Sequence, residues 1–423
     1  MLVTMGKQAR SAAKALSRAS TGQKNAALLS LADRLISSSD AILAANRQDV
    51  AEAETNGLSA AMIDRLTLNI PRLEGIAEDL RKVIELPDPV GEIFEPLTLP
   101  NGLRVHKQRV PLGVLAVIYE ARPNVTLDVA GLALKTGNAV ILRGGSETLR
   151  TNRELVAVIR GVLQECGLPE DAVQFIDDPD RARVMELLQM YEYIDMLIPR
   201  GGAALHQFCR ENSRIPVITG GIGICHLFVD QSADFEAAVK VIYNAKTQRP
   251  TVCNALDTVL VHRSVAADIL PQVVARLEEA GVSFRADESA MPYLIPDHLG
   301  GTLPASVTTA GPEDFDTEWL SLVLGLKVVD GIDQAIEHIA AHSTQHSDGI
   351  LTHDDANARR FIAEVDSSAV YVNASTRFTD GSQLGLGAEV AISTQRLHAR
   401  GPMALRELTT YKWVVQGDYT VRQ

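Results

Sequence analysis

The strongest constraint on the fold is a run of buried-strand patterns that begins near Val110. Near-continuous apolar stretches, "GVLAVIYEA", "NAVILRGG", "AVQFID", "IDMLIPRGG" and "PVITGG", alternate with the helical stretches "VTLDVAGLALKTG", "TNRELVAVIRGVLQECG", "DRARVMELLQM" and "AALHQFCREN". A strand apolar at every position is covered on both faces. Such strands, separated by helices, build a parallel, doubly wound sheet. A second alternation starts near His226 with "CHLFVD", "ADFEAAVKVIYNAKTQ", "ALDTVLVH" and "AADILPQVVARLEEAG", and runs on through "DGILTHD". Upstream, Ala27, Leu28, Leu31 and Leu35 form one helical stripe. "LTLPNGLRVHKQRVPLG" reads as a hairpin around Asn101-Gly102. The tail "ALRELTTYKWVVQGDYTVRQ" is β-rich without helix partners of its own, a kind of segment that pairs with another subunit. The expected architecture is two doubly wound α/β domains plus a β-rich oligomerisation segment.

A chain of 423 residues exceeds one ordinary core. The net charge, 40 − 53 = −13, argues against nucleic acid or an anionic membrane as the main partner. No apolar run reaches the roughly 20 residues that span a bilayer. The N-terminal stretch is acid-poor up to Asp33, like a transit peptide, but "SAAKALSRAS" patterns as an amphipathic helix without an apolar signal core. A cytoplasmic protein is expected. The four cysteines, Cys166, Cys209, Cys225 and Cys253, lack CxxC spacing, so neither a metal site nor a disulfide framework is expected.

Three Gly-rich turns follow strands: Arg143-Gly144-Gly145-Ser146, Arg200-Gly201-Gly202 and Gly220-Gly221-Ile222-Gly223. Each strand, turn and helix start can offer backbone N–H groups to a phosphate, although none is GxGxxG. "YEARPN" ends the first buried strand, and Asn124 there reads either as an oxyanion donor or as a helix N-cap. Cys253, in "TQRPTVCNALD", lies on a loop between a helix and a strand, with Lys246 and Arg249 near in sequence to favour a thiolate. Context alone leaves it between nucleophile and inert thiol.

The stretches "LGVLAVIYEARPNVTLDVAGLALKTGNAVILRGGSE", "TQRPTVCNALDT" and "STRFTDGSQLGLGAEVAISTQRLHARGPMALRELTTYKWVV" resemble the γ-glutamyl phosphate reductase family of the aldehyde dehydrogenase superfamily, from about residue 8 to the C-terminus. The resemblance implies NADPH-dependent reduction of L-glutamate 5-phosphate to L-glutamate 5-semialdehyde and phosphate, in proline biosynthesis. It implies Cys253 as nucleophile, Asn124 as oxyanion donor with the Cys253 backbone N–H, Gly201 and Gly202 under the pyrophosphate, and Glu318 on the nicotinamide ribose. It also implies a cofactor-binding domain over 1–92, 112–225 and 366–396, a catalytic domain over 226–365, and oligomerisation segments over 93–111 and 397–423 of a homodimer or homotetramer. The acyl phosphate is expected from a separate glutamate 5-kinase.

Two departures from hydrolytic aldehyde dehydrogenases have physical content. Those relatives carry a Glu in Glu-Leu-Gly-Gly that activates water; this chain reads Ile218-Thr219-Gly220-Gly221. An isoleucine cannot activate water, so a thioester should persist, which disfavours the nearest rival, a hydrolytic NAD(P)-dependent semialdehyde dehydrogenase on the same fold. A non-catalytic scaffold is disfavoured by Cys253 and Asn124 occurring together. NAD-preferring relatives read Lys-Pro-Ala-Glu where Arg143-Gly144-Gly145-Ser146 stands. Losing that acid and gaining Arg143 favours a 2′-phosphate, with Glu147 next door working against it. For the substrate's phosphate and carboxylate, Arg122, Arg249 and Arg377 are candidate cations; for its ammonium, Glu120 and Asp380 are candidate acids.

Overall fold

The computed structural model describes residues 1–220, 222–295, 301 and 303–422, which form two compact units. Unit 1 comprises residues 1–219, 385–391 and 403–423; unit 2 comprises 220–384 and 392–402.

Unit 1 opens with five helices: α1 (Leu2–Leu16), α2 (Thr21–Ser37), α3 (Ser39–Thr55), α4 (Ala60–Leu66) and α5 (Ile70–Glu85). Local signals start them. Ser20 and Gln23 form a reciprocal capping box at α2, and the Asn69 side chain accepts the Arg72 N–H at α5. The stripe Ala27, Leu28, Leu31 and Leu35 is buried, as its spacing predicts. Next comes the hairpin β1 (Ile93–Thr98) and β2 (Arg104–Pro111), turned at Gly102, whose φ of +85° suits glycine. The parallel sheet is then laid down as β3 (Val114–Tyr119), α6 (Asn124–Lys135), β4 (Ala139–Arg143), α7 (Leu149–Glu165), β5 (Val173–Phe175), α8 (Ala182–Leu188), β6 (Met196–Arg200) and α9 (Ala203–Asn212). Its strand order is β5-β4-β3-β6. "PVITGG", expected as a full strand, makes only a single bridge, Val217 to Leu197.

Unit 2 contributes β7 (Cys225–Val229), α10 (Phe235–Thr247), β8 (Leu256–His262), α11 (Ala266–Glu278), β9 (Ser283–Ala286), β10 (Val307–Thr309), β11 (Val323–Val329), α12 (Ile332–His342), β12 (Ser347–Leu351), α13 (Asp355–Glu364) and β13 (Ala369–Val372). Its sheet is parallel, in the order β10-β9-β11-β8-β7-β12-β13. β13 is therefore the edge of the second sheet, whereas the sequence reading groups 366–396 with the cofactor domain. A strand of four residues with no helix of its own carries too little pattern to announce which sheet it joins. The chain closes with β14 (Ala391–Ser393), β15 (Gly401–Met403) and β16 (Thr409–Gln416), and β16 pairs antiparallel with β2 to give the three-stranded sheet β1-β2-β16.

Candidate active site

Cys253 sits on the loop between α10 and β8, half-buried, at the amino end of its strand. Gly223 stands at the amino end of the neighbouring β7, and a methyl group there would overlap the Cys253 carbonyl oxygen. Only glycine permits that approach. The Cys225 thiol donates to the same carbonyl at 3.3 Å. Two further bonds lash the loop to residues 376–379: Thr376 Oγ1 donates to the Asn254 carbonyl at 2.8 Å, and Asn254 Nδ2 donates to the Thr379 carbonyl at 2.9 Å. The loop is thus fixed from both sides, as a nucleophile requires.

Charge around the loop differs from the sequence expectation. The Lys246 ammonium is fully buried and lies 3.5 Å from Asp257, so its charge is engaged there rather than at the thiol. Burial weakens the Lys246 ammonium's hold on its proton and pushes the Asp257 carboxyl up to about 6. Arg377 is a cation on which the thiol acts. Burial and the neighbouring Arg249 guanidinium favour loss of its proton, while Cys253 and Asp380 act in the opposite sense. Arg377 Nε donates to Gln248 Oε1 at 2.8 Å. Arg249, Asp380 and Cys253 thus all act on Arg377, and one Asp380 oxygen accepts the Ser382 N–H at 2.9 Å. Glu318 also reaches this region: its carboxylate accepts the Gly223 N–H at 2.9 Å, and burial raises its pKa against that bond. Cys225 is held well above the usual thiol range by burial, and burial pushes Cys209 up to about 11, so neither competes as a nucleophile. No disulfide joins the four cysteines.

Unit 1 carries a cavity of about 680 Å³ at the carboxyl ends of β3 and β4, where ligands of such sheets bind. Arg143, Gly145 and Ser146 line it, and Gly144 lies between Arg143 and Gly145 on the same turn. A methyl at Gly144 would overlap the Asn152 amide. Arg143 donates to the Gly144 and Pro179 carbonyls at 2.8 and 3.1 Å, and its Nε is buried without a partner. Burial works against its charge, and so does Arg181, another guanidinium on the cavity wall. Glu147 is turned inward. Its carboxylate accepts the Ala121 N–H at 2.8 Å and so braces a backbone whose φ of +41° is unfavourable for a residue with a Cβ. Glu120 lies on the same wall, and its carboxylate accepts the Gly202 N–H at 3.3 Å. The Gly201-Gly202 turn thus already holds an anionic group.

Asn124 is the first residue of α6, but Pro123 occupies the N-cap position and no side chain caps the helix. Asn124 Nδ2 instead donates to Asp128 Oδ2 at 2.9 Å. Arg122 is exposed on the turn before α6. Gly220 closes against the Ile392 carbonyl, where a methyl would overlap it. Gly221, a predicted cofactor contact, lies outside the described residues. Sequence reasoning missed Arg181 and Asp128. Arg181 follows a different strand from Arg143, and Asp128 has the sequence pattern of any polar position on a helix. Among the described residues no group of His, Cys, Asp and Glu could hold a metal ion, and no helix is long and apolar enough to cross a membrane.

The model of the aldehyde dehydrogenase family matches residues 3–292. The chain is 59% identical over 422 residues to the γ-glutamyl phosphate reductases of Escherichia fergusonii and Escherichia coli O157:H7, covering 100% of both partners in each case. The crystal structure of γ-glutamyl phosphate reductase from Thermotoga maritima matches with a TM-score of 0.96 at 47% identity, over 100% of each chain. That of the Saccharomyces cerevisiae protein of the same name matches with a TM-score of 0.53 at 32% identity, over 99% of this chain and 98% of that one. An engineered glycolyl-CoA reductase with bound NADP⁺, 17% identical, shares the fold with a TM-score of 0.68, over 98% of this chain and 96% of that one.

Proposed function

Because the chain belongs to the aldehyde dehydrogenase family, and within it to the γ-glutamyl phosphate reductases, we propose that it reduces L-glutamate 5-phosphate with NADPH through a thioester on Cys253. Membership makes it an oxidoreductase of proline biosynthesis. The observation that carries the mechanistic reading is the setting of Cys253: a half-buried thiol on a loop backed by Gly223 and within the field of Arg377.

The Cys253 thiolate attacks the acyl carbon, and phosphate, a weak base, leaves without a strong general acid. Asn124 and the Cys253 backbone N–H hold the oxyanion that develops at that carbon, here and in the later reduction. Bound NADPH supplies the hydride. Collapse of the reduced adduct returns the thiolate and releases L-glutamate 5-semialdehyde. The buried Ile218 stands where hydrolytic relatives carry a glutamate, so no carboxylate at that position turns water onto the thioester. Arg249 and Arg377 serve the substrate's phosphate and carboxylate, with Arg122 a third candidate. Asp380 serves its ammonium, with Glu120 the alternative.

The cavity fits NADPH. Arg143 and Arg181 stand on one wall beside Ser146 and offer two guanidinium groups to a dianionic 2′-phosphate, in competition with Glu147, which already supports the Arg143 charge. Glu147, the acid that works against such a phosphate, is oriented by the Ala121 N–H at one oxygen and still lines the cavity. Gly145, Gly201, Gly202 and Gly220 give close backbone approach, and Glu318 holds the nicotinamide ribose. In our reading the protein is a cytoplasmic homodimer or homotetramer associating through residues 93–111 and 397–423, and a glutamate 5-kinase supplies its substrate. Of the expected cofactor domain (1–92, 112–225 and 366–396), residues 220–225 and 366–384 lie in unit 2 with the expected catalytic domain, 226–365, and we read 1–92 and 112–219 as the cofactor-binding part.

The test runs the reaction backwards. Supplied with L-glutamate 5-semialdehyde and NADP⁺, the protein should form NADPH at a steady rate only when inorganic phosphate is present. Steady turnover without phosphate would favour the hydrolytic rival.

A further inference from the structure

We infer that Asp128 is a positioning residue for the reduction: one turn along α6 from Asn124, its carboxylate fixes the Asn124 amide so that it presents N–H, and not its carbonyl, to the developing oxyanion. The inference rests on the reading of Asn124 as an oxyanion donor.

Residues four apart on a helix lie on one face. Here they are joined by the bond from Asn124 Nδ2 to Asp128 Oδ2 at 2.9 Å. A side-chain amide has a donor end and an acceptor end of nearly the same shape, and a flip exchanges them. An ionised carboxylate only accepts, so it selects the donor end. The NH₂ group carries two hydrogens. One is committed to Asp128, and the other remains on the same nitrogen for an incoming oxyanion. The carbonyl, which would repel that oxyanion, is turned away. A charge-assisted bond also fixes the amide more firmly than a neutral one.

The carboxylate is kept here at a cost, which argues against a purely structural role. Asp128 is mostly shielded from solvent, and burial pushes its carboxyl up to about 6. Asp79, from α5, adds like-charge repulsion; Arg200, at the end of β6, gives partial relief. A site shaped by stability alone would hold a neutral residue there. Catalytic constellations are where such costs are retained.

The experiment is a double-mutant cycle on Asp128→Asn and Asn124→Ala, assayed by phosphate-dependent oxidation of L-glutamate 5-semialdehyde. Asp128→Asn keeps the shape but can offer either end of its own amide. Its kcat should fall about 10- to 100-fold, while KM for the semialdehyde stays within about threefold. In the Asn124→Ala background, the same substitution should change kcat by less than about twofold. Its melting temperature at alkaline pH should be no lower than that of wild type. If Asp128→Asn leaves kcat intact, or lowers it equally with and without Asn124, the positioning role is overturned while the role of Asn124 stands. If Asn124→Ala itself retains full kcat, the oxyanion reading fails and this inference fails with it.

Discussion

Cys253 and Asn124 illustrate what single residues disclose and what they withhold. The cysteine's loop position is legible from its neighbours, but its role is not, since an inert thiol satisfies the same local pattern. Only the longer motifs around it decide the matter. The charge beside it misleads: Lys246 is near in sequence, yet its ammonium is drawn to Asp257, a partner beyond the loop. Cys253→Ser should abolish phosphate-dependent turnover while leaving the circular dichroism spectrum unchanged, because an alcohol is a far weaker nucleophile at neutral pH. Asp128 has a pH signature. Its folded pKa, about 6, lies above the ordinary 3.8, so folding disfavours the ionised form. Its contribution to stability is full below the unfolded value and is lost as pH rises through the folded one. Asp128→Asn never ionises, so it should melt above wild type near about pH 8, with the gap closing near about pH 4. A thermal scan at the two pH values checks this.

Among the elements, strands of the first sheet are legible because each is a short, mostly apolar run set between helical stretches, and β4 and β6 end in Arg-Gly-Gly turns. β3 and β4, buried along almost their whole length, are examples. "PVITGG" fails because a short apolar run before glycines satisfies the strand pattern, yet among its described residues only Val217 bridges, to Leu197. The cavity we propose for the cofactor is half visible: Arg143 and Ser146 lie on one turn, but Arg181 joins them from the segment after β5, and no spacing rule links the two. Arg181→Ala should raise KM for NADPH about tenfold and leave KM for NADH unchanged, since only the 2′-phosphate needs the added guanidinium. Steady-state kinetics with both cofactors separate these outcomes. The Cys253 loop lies at the amino end of β8, not at the carboxyl edge of that sheet. Its geometry depends on β7 and β8 being neighbours, through Gly223. Gly223→Ala should cost about 10- to 100-fold in kcat, because a displacement of the loop misaims the sulfur.

Taken as one molecule, the chain leaves the sheet β1-β2-β16 with apolar side chains in solvent. Ile93, Leu97, Trp413 and Val415 are each more than half exposed. Lys107 lies over the rings of Tyr411 and Trp413 at 4.8 and 5.1 Å. This patch is the surface we propose for association. Trp413→Glu combined with Val415→Glu should shift the protein to monomer in sedimentation velocity. The full chain is also where the central claim, acyl transfer through Cys253, can be measured. Rapid mixing with L-glutamate 5-semialdehyde and NADP⁺ in phosphate-free buffer should give one fast burst of NADPH per chain. The burst should then stall until phosphate is added, and it should be missing from Cys253→Ser. Continued turnover without phosphate, or a burst of the same size in Cys253→Ser, would contradict the account.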